Sequence, residues 1–470
     1  MSYLAIDCGT SGCRAAVVSE GGRIQSLARR RVTVARGEAG RAEMDPNEVW
    51  RAAVAAAGAA LRRARVALDR DRVRGVGVST LLGYVLLDRS GRPLAPAATY
   101  MDTRATAELE EIARRFPPGR LYRSTRRRPS AELLAPLLLW HRRHRPALWA
   151  RVRKAIGLKD EIVRRLTGHV GTDLAHLDYT LLFDVRRGRL DADLLQGLKI
   201  DPELFPPPVP ADEAVGGLTP QAAAEIGLPA GLPVVCGSSD GTTAMYGAGV
   251  LQDDAAVLVS GTTDVLMAAC RRIPADRSHT LTVNSGMAPG VYLAGGATGL
   301  AGGAVRYFEE LLGVDARRLS DRIGRLPPGS AGLTVRPGLT GERAPFWSEG
   351  RSGAVLGLTL EHGPEHLLRA TMEGSVLRLV HLVDSLRRCG LRPRRLHVAG
   401  GWADLEAWNR IRADAIGLEV RCTAEREATL LGTAMFCASG VDGVPLAETA
   451  RRWVRFGRRF RPRRKAGGAS

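Results

Sequence analysis

The stretch Asp7-Cys8-Gly9-Thr10-Ser11-Gly12 lies between two apolar runs, Tyr3-Leu4-Ala5-Ile6 and Arg14-Ala15-Ala16-Val17-Val18. Extended runs broken by turn residues predict a strand, a tight turn and a second strand. Glycine lets backbone N–H groups approach an anion closely, and the Thr and Ser hydroxyls add donors. The turn therefore suits a phosphate as well as a plain hairpin. An aspartate beside it is of the type that holds magnesium, directly or through water. The same pattern returns at Ala256–Met267, where Ser260-Gly261-Thr262-Thr263 forms the turn.

Outward from these hairpins, strands alternate with helices, which predicts an α/β class. Gly21-Gly22 marks a further hairpin turn. Residues 47–68 have helical spacing, Val73–Ser79 reads as a buried strand, and Leu133–Arg142 and Ile156–Leu166 read as helices. Pro364 opens a helix to about Arg388, and Gly390 ends it. Leu396–Ala399 reads as a strand, with Gly400-Gly401 turning into the next helix. The 470 residues fit two domains, and the small-residue stretch Gly237–Val250 marks the boundary. The expected division is 1–245, 246–445 and a basic extension, 446–470.

The formal charge of +19 does not by itself mark a nucleic-acid binder. Only four of the 68 basic residues are lysines, and arginine is spread along the whole chain. The one dense run, Arg451–Arg461, reads as an exposed terminal extension. Seven scattered cysteines without a CxxC pair read as free thiols, pointing to a reducing cytoplasm. The chain shows no signal-peptide pattern and no apolar run long enough to span a bilayer.

A Walker loop needs a Gly-Lys-Ser/Thr step, and no lysine here follows a glycine. The pair His362 and His366 straddles Pro364 and reads as a helix-start cap rather than a zinc site. Asp240, in Gly237-Ser238-Ser239-Asp240-Gly241, follows the apolar strand Leu232–Val235. It has two readings, a general base facing a cleft or a cap on the next helix.

Taken together, these segments resemble the FGGY family of carbohydrate kinases, over roughly residues 3–440. Glu43-Met44-Asp45-Pro46 with Trp50, Tyr100-Met101-Asp102-Thr103-Arg104, Lys159-Asp160 and Thr172-Asp173 resemble segments of that family's N-terminal half. Gly295-Gly296-Ala297 with Gly302, Gly341–Trp347, Ala399–Trp402 and Gly432-Thr433-Ala434 resemble segments of its C-terminal half. The resemblance implies two actin-like (ribonuclease H-like) domains around a central cleft for nucleotide and substrate. It implies ATP and Mg2+ as cofactors, with Asp7 at the metal and Asp240 as catalytic base. It places the nucleotide at Gly9, Thr10, Ser11, Gly261, Thr262, Thr263, Gly302, Gly400 and Gly401, and the carbohydrate at Asp102, Arg104 and Asp240. The expected reaction is phosphorylation of a small carbohydrate, a ketose such as xylulose or a sugar acid such as gluconate. The alternative is a catalytically silent sugar- or nucleotide-binding protein on the same fold. The expected partners are the carbohydrate and ATP, without nucleic acid or membrane, and a homodimer is an open option.

One departure stands out. Where many sugar-kinase members carry a His-containing Gly-Gln-Met-His-Gly turn, this chain reads Thr80-Leu81-Leu82-Gly83, one residue shorter and without the histidine.

Overall fold

A computed structural model describes residues 1–64, 72–252, 254–286, 290–348, 350 and 352–463. The α/β class holds. The chain divides into two units that are discontinuous in sequence. The first comprises Met1–Gly247, Asn284–Tyr292 and Thr429–Trp453; the second comprises Ala248–Val283, Leu293–Ala428 and Val454–Ser470.

The first unit is built on a seven-stranded mixed sheet. Its main path runs Ala214–Gly217, Pro233–Val235, Val73–Thr80, Ser2–Gly9, Gly12–Ser19, Ile24–Arg30, and Ser238–Ser239 adds to Val73–Thr80. The first three strands of the chain form the expected antiparallel meander, with Gly9 facing Gly12 across a two-residue turn. Ser2–Gly9 then pairs in parallel with Val73–Thr80. The Ala-rich helix Pro46–Arg63 covers this sheet, burying Val49, Ala53, Ala56, Ala57 and Ala60 against Leu4, Ile6, Val17 and Val78. Its start is fixed by Pro46 in the first turn and by Asp45, whose carboxylate accepts from Asn47 N at 2.9 Å. Residues 65–68 of the expected helix lie outside the described residues. A five-stranded sheet, Ala35–Arg36, Ala42–Met44, Ala97–Thr99, Gly83–Leu87, Lys154–Gly157, completes the unit. Ile156 belongs to its last strand, so the helix expected from Ile156 begins at Leu158 instead.

A second seven-stranded sheet, which falls to the second unit except for Asn284, Ser285 and Tyr292, is ordered Thr282–Ser285, Tyr292–Leu300, Thr263–Cys270, Ala255–Ser260, Arg395–Ala399, Glu419–Thr423, Phe456–Phe460. Its hairpin Ala255–Cys270 again sits beside a parallel strand, Arg395–Ala399. The long helix spans Pro364–Arg388, and His366 Nδ1 accepts the Gly363 N–H at 3.1 Å at its start.

Two expectations about the C-terminal region need correction. The residues after 445 are not a loose extension. Leu446–Trp453 is a helix, and Phe456–Phe460 pairs antiparallel with Glu419–Thr423 as an edge strand. The reason is apolar residues interleaved with the arginines. Trp453 is buried, packs its ring at a tilt against Tyr3 and donates its indole N–H to Glu20 O at 2.8 Å, and Phe460 is buried in turn. The helix Ala428–Asp442, expected within the 246–445 domain, packs in the first unit from Thr429 onward. It approaches so closely that a Cβ at Gly432 would collide with the Thr243 carbonyl.

Candidate active site

In the first unit, parallel pairing lines up three strand ends. Asp7 faces Ser79, and Ser79 faces Ser238. Asp7 is fully buried, and Ser79 Oγ donates to its Oδ1 at 2.8 Å. Antiparallel register places Arg14 opposite Asp7, and the guanidinium donates to Oδ2 from Nε at 3.1 Å and from Nη2. The turn Thr10–Ser11 follows two residue pairs beyond this one.

Asp240 begins the helix Asp240–Gly247, just after Ser238–Ser239. The capping duty falls on its neighbour, since Ser239 Oγ accepts the Thr242 N–H at 3.3 Å and contacts Thr242 Oγ1 at 2.8 Å. Among the described residues, Asp240 Oδ1 accepts only the adjacent Gly241 N–H, at 2.6 Å. The residue is partly open to solvent. Crowding by protein atoms, followed by repulsion from Asp7, pushes its carboxyl up to about 7.

Beneath this row lies a buried charge network. Lys159 Nζ stands 2.6 Å from Asp160, 3.2 Å from Asp173 and 3.2 Å from Cys236 Sγ. Burial pushes the ammonium down, but Asp160, Cys236 and Asp173 outweigh it and hold Lys159 above its ordinary range. Burial likewise opposes ionisation of Asp173, yet His176, Lys159 and Ser238 hold it below the usual carboxylate range. Asp173 accepts from Ser238 Oγ at 2.7 Å and from His176 Nδ1 at 2.6 Å. The network thus pins Ser238, two residues ahead of Asp240.

Asp102 and Arg104, expected at the carbohydrate, are partners of each other. Arg104 Nε donates to Asp102 Oδ1 at 2.8 Å, and Nη2 reaches Glu43 Oε1 at 2.7 Å. Asp102 also accepts the Ala42 N–H at 2.9 Å, and the guanidinium lies over the Trp140 ring at 5.0 Å. In the short Thr80–Gly83 connection, Leu81 is fully buried and Leu82 O accepts from Tyr100 N at 2.9 Å.

In the second unit, the turn at Gly261–Thr262 is a hub. Thr262 O accepts the Ala301 N–H at 3.0 Å and the Gly303 N–H at 2.9 Å, which docks the start of the helix Gly302–Leu312 on the turn. Gly400 has φ +93°, and a Cβ there would press on the Ser260 carbonyl. The turn, Gly302 and Gly400 are therefore neighbours, while Gly401 O accepts from Arg317 at 2.6 Å. Burial pushes the nearby Asp264 carboxyl up, with Arg412 opposing.

Each unit thus carries a small hydroxylated turn at the end of a strand with a parallel neighbour. Family models for the N-terminal and C-terminal domains of the FGGY carbohydrate kinases match residues 2–247 and 256–441. The chain belongs to the FGGY family of carbohydrate kinases. This kinase is 28% identical to the xylulose kinase of Escherichia coli (strain K12), covering 89% of this chain and 85% of that protein. It is 31% identical to a glycerol kinase of Aromatoleum aromaticum, covering 98% and 95%. The crystal structure of the xylulose kinase from Rhodospirillum rubrum superposes with a TM-score of 0.89 at 28% identity, covering 99% and 95%. The protein is thus a carbohydrate kinase that transfers a phosphoryl group from ATP, on the two-domain actin-like fold of that family. No helix among the described residues is long and apolar enough to cross a membrane.

Arg14, Ser79 and Arg412, which contact Asp7 and Ser260, were not among the expected site residues. Arg14 could have been found by register arithmetic, because a two-residue turn at 10–11 sets residue 14 opposite residue 7. Ser79 and Arg412 required knowing which distant strands and helices pair.

Proposed function

We propose that this kinase phosphorylates an uncharged open-chain ketose or polyol, with xylulose as the first candidate and Asp240 as general base. The observation that carries the base assignment is Asp240 itself. It is partly open, relieved of capping by Ser239, and raised to about 7 beside a second carboxylate. Such a group is about half ionised at neutral pH and basic enough to take a proton from an attacking hydroxyl. Lys159 and Asp173 would hold the strand end that aims it. Arg104 supports the uncharged substrate, because its guanidinium is committed to Asp102 and Glu43 and has little left to offer a sugar-acid carboxylate. Xylulose is favoured by the names of several relatives.

A magnesium ion fits this site. No group of three or more His, Cys, Asp or Glu side chains suited to a metal occurs among the described residues. Magnesium needs only one or two carboxylates, completing its shell with water and phosphate oxygens. Asp7 and Asp240 supply two that repel each other, and Asp7, whose oxygens already accept from Ser79 and Arg14, would hold the ion through its water shell. When bound, the ion neutralises charge on the transferring phosphates. The chain's own part is to present donors. In the first unit these come from Gly9, Thr10 and Ser11. In the second they come from Gly261, Thr262 and Thr263, with Gly302, Gly400 and Gly401 lining the nucleotide side.

The test is ADP release from MgATP across a panel of ketoses, polyols and sugar acids, beside Asp240→Asn. Stimulation by a neutral ketose or polyol that vanishes in the variant supports the reading. Stimulation by sugar acids alone sinks the substrate class, and full activity in the variant sinks the base.

A further inference from the structure

Ser260 and Asp264 are the last facing pair below the second turn. Both are fully buried, and one guanidinium reaches both. Arg412 Nη2 donates to Ser260 Oγ at 2.6 Å and lies 3.7 Å from Asp264 Oδ2. Arg412, itself fully buried, comes from the helix Glu406–Ile416. It is held from behind by Asn409 Oδ1 at 2.9 Å and by the Trp408 ring at 4.4 Å. Asn409 is fixed in turn by the Ala403 carbonyl at 2.8 Å.

This is a poor arrangement for stability alone. Burying two charges carries a large desolvation cost, repaid only when the pair is close and its remaining polar atoms are satisfied. Here the separation is 3.7 Å. Among the described residues, Arg412 Nε lacks a hydrogen bond, and the only side-chain hydroxyl facing Asp264 is that of Ser260, which Arg412 already engages. The shorter of Arg412's two hydrogen bonds goes to the strand that leads into the turn. We propose that Arg412 is a positioning residue for the nucleotide. It locks both strands at the base of the second turn and ties that turn to the helix following Gly400-Gly401. The proposal rests on the reading that this turn takes nucleotide phosphates. Arg412 touches no substrate atom and acts through Ser260.

The test compares Arg412→Met, Arg412→Lys, Asp264→Asn and the double variant R412M/D264N. Readouts are calorimetric MgADP binding, KM for ATP and for the sugar separately, and thermal melting. Arg412→Met should weaken MgADP binding and raise KM for ATP by about tenfold or more, the scale of one charged hydrogen bond. The sugar KM should move less than about threefold. Arg412→Lys should recover part of the loss. The double variant should regain melting temperature, since no unpaired buried charge remains, but not nucleotide affinity. Recovery of both in the double variant would overturn the proposal, leaving Arg412 as only the counter-charge to Asp264. Wild-type binding with Arg412→Met unchanged would overturn it too. A wild-type chain that binds no MgADP overturns the reading of the turn and this proposal with it.

Discussion

Replacing Asp240 with Asn should stop turnover and, at alkaline pH, make the protein more stable. The folded carboxyl titrates near 7 against an ordinary 3.8, a difference of about three pH units. The sign follows from proton counting. Between these values the folded state binds more proton than the unfolded state, so raising the pH through this window costs stability. At about 1.36 kcal/mol per unit the ceiling is about 4 kcal/mol. Asp240 is partly open to water, which screens the repulsion from Asp7, so the expected gain is nearer 1–2 kcal/mol. That corresponds to a rise of roughly 2–8 °C in the melting temperature of a unit this size. Scanning calorimetry of both proteins at pH 5.5 and 8.5 is the assay. The gain should be complete at 8.5 and about half as large at 5.5. Turnover should fall by about 10²–10⁴ at either pH, while wild-type kcat/KM should rise through pH 7 to a plateau. A melting gain that does not change with pH, or a loss at pH 8.5, would refute the account of a carboxylate held under strain.

Three other perturbations probe the scaffold. Lys159→Met leaves Asp160 and Asp173 buried without their cation and should cost about 3–5 kcal/mol in denaturant unfolding. Gly400→Ala forces a side chain into left-handed backbone against Ser260. It should cost about 1–3 kcal/mol and raise KM for ATP more than KM for the sugar, read by steady-state kinetics. Trp453→Ala should lose about 3–5 kcal/mol by melting, whereas an exposed tail would lose nothing measurable.

Local chemistry made much of this molecule legible. The two hairpins, the Pro364–Arg388 helix and the placement of Asp7 and Asp240 at strand ends all follow from alternation, glycine and proline positions, which act within a few residues. What escaped depends on pairing at a distance. Ser79 reaches Asp7 only because two parallel strands are in register, and Arg412 reaches Ser260 across 152 positions of chain. The C-terminal run misled for a different reason. Its arginines dominate the composition, while two aromatic residues, Trp453 and Phe460, decide its burial.

The return of the chain after residue 428 has a consequence for how this protein can be divided or exchanged. A fragment ending at Gly247 would carry Asp7, Asp240 and the whole Lys159 network, and would look self-sufficient on paper. It would lack the helix whose Cys437 and Val441 crowd against Gly75 and whose Gly440 abuts the Asp212 carbonyl. One face of the first sheet would be left bare to water. A gene fusion or recombination event that joined the front of one such kinase to the back of another would therefore transplant part of both halves at once. Heredity must treat the molecule as one piece, although its fold counts as two.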